Sequence, residues 1–461
     1  VLDSLKEITH LNYDQGDYGL DQFSFGIEKA SNNSFMKIKG FKRSYLGNFN
    51  QYYNNSFQPL QQSYIVSYDL DKGHNISGLT IGHFNTFSGL PDNDINAIGV
   101  YDNKITTLNY SWEKKISDNS IEFVMDQFVQ RYRTVHHLSV YEKSRYLNRS
   151  QFQFKVMMLK NGRPVSFGIK NNHRNIIFDS KFDNIWYEAY SKICWDPLSI
   201  FISTIKNKNT ILLNYDFSIF KELQSIKFQL SNRVQAVPVH PFYSFYGYTY
   251  GEDLLYNFFT KSTLDGSIVW KRSKTNISFE LSIAKDDKDY FEYINQNLNE
   301  VENRYLNARL TYDKMFSPKN RILLIYNWNN TNNHYSGGIG QQIDAELNTN
   351  FFLFDGFMKV VLNAQLTHYF DRVNYSQINP TEMVPLIYSS NSYVDITPIT
   401  SVNGGVSAKV SSFTIGLKWM NITEIILSSF GSDNNNYYTL HPEMPMLGRQ
   451  INLQLSWSFK D

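Results

Sequence analysis

Hydrophobic and polar residues alternate one by one along most of this chain, and the pattern is cleanest near its end. In residues 450–459, Ile451, Leu453, Leu455, Trp457 and Phe459 share one side, and Asn452, Gln454, Ser456 and Ser458 share the other. A β-strand sends successive side chains to opposite faces, so this stretch predicts a strand with one apolar and one polar face. The same period recurs at 23–28, 64–71, 108–113, 151–158, 213–219, 226–231, 277–283, 306–312 and 413–419. No stretch sustains the 3.6-residue period of a helix, so the fold class is all-β.

The punctuation between strands alternates as well. Short turns stand at Ser31–Asn33, Lys72–Asn75, Ser117–Asn119, Lys160–Pro164, Ser317–Asn320, Asp355–Gly356 and Ser411–Ser412, built from the Gly, Asn, Asp, Ser and Pro that tight turns favour. Long polar loops fall near 44–59, 87–102, 133–146, 237–255, 285–302, 372–400 and 424–446. Short turns at one rim and long loops at the other are the pattern of a transmembrane antiparallel up-and-down β-barrel, with periplasmic turns and extracellular loops. Its apolar face meets lipid and its polar face a wet lumen. The reading gives about 21 clear strands, and Lys6–Tyr13 is a weak further one. Bacterial barrels of this kind close with an even number, which makes about 22. The connection at Lys206–Asn209 is short where a long loop is expected.

A soluble propeller or tandem sandwich would need a repeat of roughly 40–50 residues with fixed Gly or Trp positions, and none is visible. Trp112, Trp186, Trp195, Trp270, Trp328, Trp419 and Trp457 lie in or beside strands, as an interfacial aromatic girdle requires. Composition agrees. The 461 residues include 32 Tyr and 34 Phe, and a mean hydropathy of -0.41 suits strands that are half polar. No apolar run approaches the roughly 18 residues of a membrane helix. The net charge of +1 argues for no nucleic-acid partner. One cysteine, Cys194, permits no internal disulfide and no cysteine metal site. The opening Val-Leu-Asp-Ser-Leu-Lys-Glu has no charged and then apolar leader, so the chain reads as mature and as a single barrel domain over 1–461.

From Gly404 onward the sequence resembles the end of a TonB-dependent transporter barrel. Gly404–Val410 followed by Phe413–Thr423 is similar to that family's penultimate hairpin and its Asn-containing strand end, and Pro445-Met446-Leu447-Gly448-Arg449-Gln450-Ile451 to its Pro-Gly-Arg entry into the final strand. The resemblance implies a barrel of about 22 strands in the outer membrane of a Gram-negative bacterium, enclosing a large N-terminal plug. This chain departs from the pattern. Strands begin within the first 25 residues, which leaves no room for a plug, and Val1–Thr9 holds no energy-coupling box. The family ends on an aromatic residue, whereas here Lys460 and Asp461 follow Phe459. Trp457 and Phe459 are therefore the candidates for the membrane-insertion signal.

Catalytic chemistry finds no support. Gly-x-Ser-x-Gly, His-Glu-x-x-His and phosphate-loop motifs are absent, and Asp286, Asp287 and Asp289 lack the Gly-bearing loop of a calcium site. No enzyme activity, cofactor or metal is expected. The candidate functional residues are of two kinds. Lys155, Lys227, Glu280, Arg309 and Lys418 fall on polar faces and would line the lumen. Phe242, Tyr243, Phe245, Tyr246, Tyr248 and Tyr250 crowd one extracellular loop, where they would meet a partner protein or close over the lumen; Pro238 and Pro241 at its base favour projection. Three functions follow: a porin-like or transporter-like channel for solutes, a scaffold barrel holding partners through its loops, and an active transporter whose plug is another chain. Expected partners are outer-membrane lipids and lipopolysaccharide, and a surface lipoprotein or other subunits of an outer-membrane complex.

Overall fold

The alternating segments form strands whose ends are set by turn residues. Asn161-Gly162 takes φ of 52° and 75°, and Asp355-Gly356 takes 54° and 93°. These left-handed conformations twist the chain back in the sense that adjacent strands require. The computed structural model describes residues 7–45, 60–90, 99–136, 141–177, 181–208, 210–238, 258–286, 303–331, 339–375, 377–379, 384–386, 393–396, 398–423, 425–426 and 449–460.

In chain order the strands are β1 (Glu7–Gly16), β2 (Leu20–Ala30), β3 (Ser34–Ser44), β4 (Leu60–Asp71), β5 (Asn75–Leu90), β6 (Gly99–Ile116), β7 (Asn119–His136), β8 (Tyr141–Lys160), β9 (Arg163–Ile177), β10 (Lys181–Trp195), β11 (Leu198–Asn207), β12 (Thr210–Leu223) and β13 (Ile226–Pro238). They continue with β14 (Phe258–Arg272), β15 (Thr275–Asp286), β16 (Asn303–Ser317), β17 (Asn320–Thr331), β18 (Ile339–Leu353), β19 (Met358–Tyr375), β20 (Gln377–Asn379), β21 (Val384–Leu386), β22 (Tyr393–Ile396), β23 (Ile399–Val410), β24 (Phe413–Met420) and β25 (Gln450–Lys460).

Each barrel strand pairs antiparallel with its neighbours in sequence, and β1 also pairs with β25, with Leu11 opposite Trp457 and Asn12 opposite Ser456. The sheet closes on itself. β22 and β23 both pair with β19 and form one interrupted stave, while β20 and β21 make a small hairpin outside the wall. The result is an all-β antiparallel barrel of 22 staves. Its weakest stave in the sequence, β1, is the one that closes it. Asp17, just beyond β1, accepts a hydrogen bond from the Ile451 backbone N–H at 2.9 Å and helps hold that seam.

Burial is inverted relative to a soluble protein. Leu213 (61% exposed), Leu230 (49%) and Ile268 (46%) look outward, while Ser203 (1%), Asn214 (6%) and Ser231 (6%) are shielded on the concave side. An outward apolar belt around a polar interior is the arrangement of a barrel solvated by lipid.

The long connections are narrower than the sequence predicts. Strands β7 and β8 reach His136 and Tyr141, inside the expected loop 133–146, and β20–β22 lie within the expected loop 372–400. β6–β8 have 18, 18 and 20 residues, where about 9–11 suffice to cross a membrane, so they stand above the belt. Polar side chains occupy both faces there, which hides the strand period. On the outer face Arg131 is ion-paired with Asp102, and Lys104 stands 4.0 Å from the same carboxylate. At the same rim, β11 ends at Asn207 and β12 begins at Thr210, so this hairpin is as short as its sequence indicates.

Candidate functional site

Cross-strand partners in an antiparallel sheet point to the same face. Following the register from Asn214 therefore traces the whole inner wall. Lys155 lies on it opposite Glu122, with Nζ 2.6 Å from the carboxylate. Lys227 lies opposite Glu222 at 2.9 Å. Glu280 and Arg309 are cross-strand partners beside a cavity of about 480 Å³ that Asp265, Asn307 and Asn327 also line. Lys418 stands between Gly405 and Asn452. These five side chains share a wall but are spread around the barrel and do not form one cluster.

A cavity of about 800 Å³ lies against the upper inner wall of β6–β10. Tyr132, Arg145, Arg149, Asn172, Arg174 and Trp186 are among its lining residues. Arg149 and Arg174 are direct cross-strand partners, a like-charged pair. Arg145 lies over the Tyr132 ring, 5.7 Å from its centroid, and Arg174 over Trp186 at 6.0 Å. Lower on the wall, charges come in opposite pairs, with Lys170 and Glu188 at 2.9 Å and Arg233 and Asp216 at 3.0 Å around an adjoining cavity of about 580 Å³. Both cavities share Asn172, Trp186 and Pro238.

The short β11–β12 hairpin shapes this region. β12 pairs with β13 only as far as Tyr215 opposite Val234, whereas β13 continues to Pro238 along β14. Above that point β13 leans across the inner face of β12, and the Ala236 backbone N–H donates to Asn214 Oδ1 at 2.7 Å. Phe258, at the start of β14, reaches past β11 and β12 to meet Trp186 edge-on, with ring centroids 5.7 Å apart. Trp186 is thus an interior residue and no part of an interfacial girdle. In Asn184-Ile185-Trp186-Tyr187-Glu188 both faces carry a large ring, so the sequence does not say which one faces lipid. Phe242, Tyr243, Phe245, Tyr246, Tyr248 and Tyr250 lie outside the described residues, but Pro238 and Phe258, the two stems flanking that segment, line the inner cavity rather than an outer surface. Asp287 and Asp289 are also outside the described residues.

Trp457 is exposed on the outer face beside the Ser411–Ser412 turn, where its Nε1–H donates to Ser412 Oγ at 3.2 Å. It stacks on Phe459 at 4.5 Å and meets Phe413 edge-on at 6.3 Å. Cys194, half-buried, lies 3.7 Å from Ser199 Oγ. The arginine group is the feature that sequence reasoning missed. Its only signal is Arg145 and Arg149 at an even spacing, which places both on one face of a strand.

The fold and its polar interior define an outer-membrane-type β-barrel, and the barrel resembles in fold those of TonB-dependent transporters. The FrpB iron transporter from Neisseria meningitidis (F3-3 variant) superposes with a TM-score of 0.73 at 9% identity, over 99% of this chain and 82% of that one. A single-site mutant of the ferric enterobactin receptor PfeA from Pseudomonas aeruginosa gives 0.72 at 7% identity, over 99% and 80%. P. aeruginosa FpvA bound to heterologous pyoverdines gives 0.68 at 9%, over 99% and 72%. No protein-family model and no curated protein matches the sequence. At these identities the likeness is one of fold.

Proposed function

We propose that this protein is an outer-membrane channel or transporter that passes solutes through its lumen. The observation that carries the reading is the continuous polar inner wall, traceable by register around all 22 staves, with water-sized space of several hundred Å³ against it in three places. A barrel of this circumference leaves an aqueous lumen unless something fills it. The iron cargo of FrpB and PfeA belongs to those proteins. The present wall supports passage of polar solutes without naming one.

The test is conductance. Purified barrel inserted into a planar lipid bilayer should give discrete current steps with an ohmic current–voltage relation. A protein that inserts but stays silent at all voltages would overturn the channel reading and favour the scaffold alternative, a sealed barrel that holds partner proteins. In that case a stoichiometric partner should accompany it in mild detergent.

A further inference from the structure

We propose that the upper inner wall of β7–β10 is a binding site for a small polyanion, a solute carrying two or more carboxylate or phosphate groups. The site deepens the transport reading and rests on it for its role, but its chemistry stands on the wall itself.

Three guanidinium groups share this face. Arg149 and Arg174 are direct cross-strand partners, which sets their Cα atoms about 4.5–5.5 Å apart. Like charges placed directly opposite destabilise a sheet. Elsewhere on the inner wall the cations Lys155, Lys170, Lys227 and Arg233 stand opposite carboxylates. Here the register puts arginine against arginine, and Arg145 lies above Arg149 on the same face of β8. Like-charged partners also occur nearer the turns, at Glu113–Glu122 and Lys359–Lys409, but here the pair includes the shielded Arg174 and a third arginine stands above it, a concentration of charge that suits a site shaped for something other than folding.

The surroundings specify the ligand further. Arg145 and Arg174 are almost wholly shielded. The Tyr132 and Trp186 rings lie within about 6 Å of the Arg145 and Arg174 guanidinium groups, where an aromatic face favours a cation. A rigid planar fork matches carboxylate and phosphate oxygens two at a time. Asn184, the cross-strand partner of Arg174 on its other side, is 3% exposed, and neither its amide oxygen nor its amide nitrogen has a hydrogen-bond partner. It adds two N–H donors and one acceptor oxygen beside the charge cluster. Two adjacent forks, a third cation above them and a free amide suit a multiply charged anion better than a single chloride. The cavity of about 800 Å³ holds a molecule of that size.

Titration calorimetry on the intact chain in detergent micelles at low salt tests the site. Citrate probes the carboxylate source, pyrophosphate the phosphate source, and glucose serves as the uncharged control. At least one anion should bind saturably with one site per chain, more weakly as salt rises, and glucose should not bind. R149Q and the double variant R149Q/R174Q should weaken binding about tenfold or more, while K409Q, a charge-matched change on β23, should leave it intact. The same anion should raise the Tm of the native protein and not that of the double variant, because only a ligand held by the folded barrel stabilises it. The double variant should also fold, seen as heat-modifiable gel migration. No saturable binding by either anion, or undiminished binding by a folded double variant, would overturn the proposal. The outcome is separate from conductance: a silent barrel that binds citrate keeps the site and loses the channel, and a conducting barrel that binds neither anion does the reverse.

Discussion

At the scale of single residues, the inner wall is packed tightly in places that its polar composition conceals. Gly168 is the sharpest case. A Cβ there would collide with Cζ and Oη of Tyr190, which lies across it from β10. The ring has little freedom to retreat. Gln153 Nε2 donates to its hydroxyl at 2.8 Å, Lys170 Nζ sits 5.0 Å from its centroid, and Phe201 packs at 5.7 Å. Gly168→Ala should therefore cost roughly 1–3 kcal/mol, the usual range for overpacking, read as an earlier urea midpoint in detergent. Gly168→Ala combined with Tyr190→Phe removes the hydrogen bond but keeps the ring, and should recover little of the loss. Full recovery would show that the hydroxyl alone is the obstacle. None of this is legible in the sequence, where Gly168 is one small residue in a strand. What is legible is the alternation itself: Asn214, Asp216 and Ser218 against Leu213, Tyr215 and Phe217 fall on the faces that period two assigns. The arginines at 145, 149 and 174 escape because they lie above the apolar belt. There Asn171-Asn172-His173-Arg174-Asn175 is polar at every position and the period has nothing to register.

At the scale of elements, the turn chemistry carries most of the topology, and one low hairpin shapes the cavities behind it. Every short turn read from the sequence joins two paired strands, because Gly, Asn, Asp, Ser and Pro there encode backbone angles and not only polarity. The hairpin after Asn207 turns back lower than its neighbours at this rim, and the consequence is spatial. A low β11–β12 hairpin leaves room for the top of β13 and β14 to lean inward, which brings Phe258 to Trp186. Periodicity cannot report such a lean, since it follows from the unequal heights of neighbouring strands. The strand β12 also offers the cleanest test of sidedness. In a Cys194→Ser background, single cysteines at 214, 216 and 218 should react with a membrane-impermeant maleimide that enters the lumen, and cysteines at 213, 215 and 217 should be protected by lipid. A charge on that outer face costs roughly 2–4 kcal/mol at mid-membrane, so Leu213, Tyr215 and Phe217 have no polar alternative. Equal labelling of both sets would mean that β12 does not separate water from lipid.

At the scale of the whole molecule, function depends on closure, and closure rests on the strand least visible in the sequence. β1 shows only Leu11 and Tyr13 as strong outward residues, yet it hydrogen-bonds β2 on one side and β25 on the other. Without it, β2 and β25 would each present an unpaired edge to the hydrocarbon, where every unmet N–H and C=O costs several kcal/mol. The register is specific: Asn12 faces Ser456 and His10 faces Ser458, both pairs on the inner wall, and Ser456 Oγ donates to Asn12 Oδ1 at 2.6 Å. Directly opposed residues of an antiparallel pair have Cα atoms about 4.5–5.5 Å apart, within the roughly 4.4–6.8 Å reach of a disulfide. In the Cys194→Ser background, the pair Asn12→Cys and Ser456→Cys should cross-link under mild oxidation and convert the chain to a covalent ring that migrates differently after boiling without reductant. The offset pair Asn12→Cys and Ser458→Cys should link far less well, since diagonal neighbours are about 7–8 Å apart. Efficient linking of the offset pair and not the direct one would shift the seam by two residues. Failure of both in a folded protein would mean that the barrel is not closed between its first and last strands, and the continuous polar wall that supports the proposed passage would be broken there.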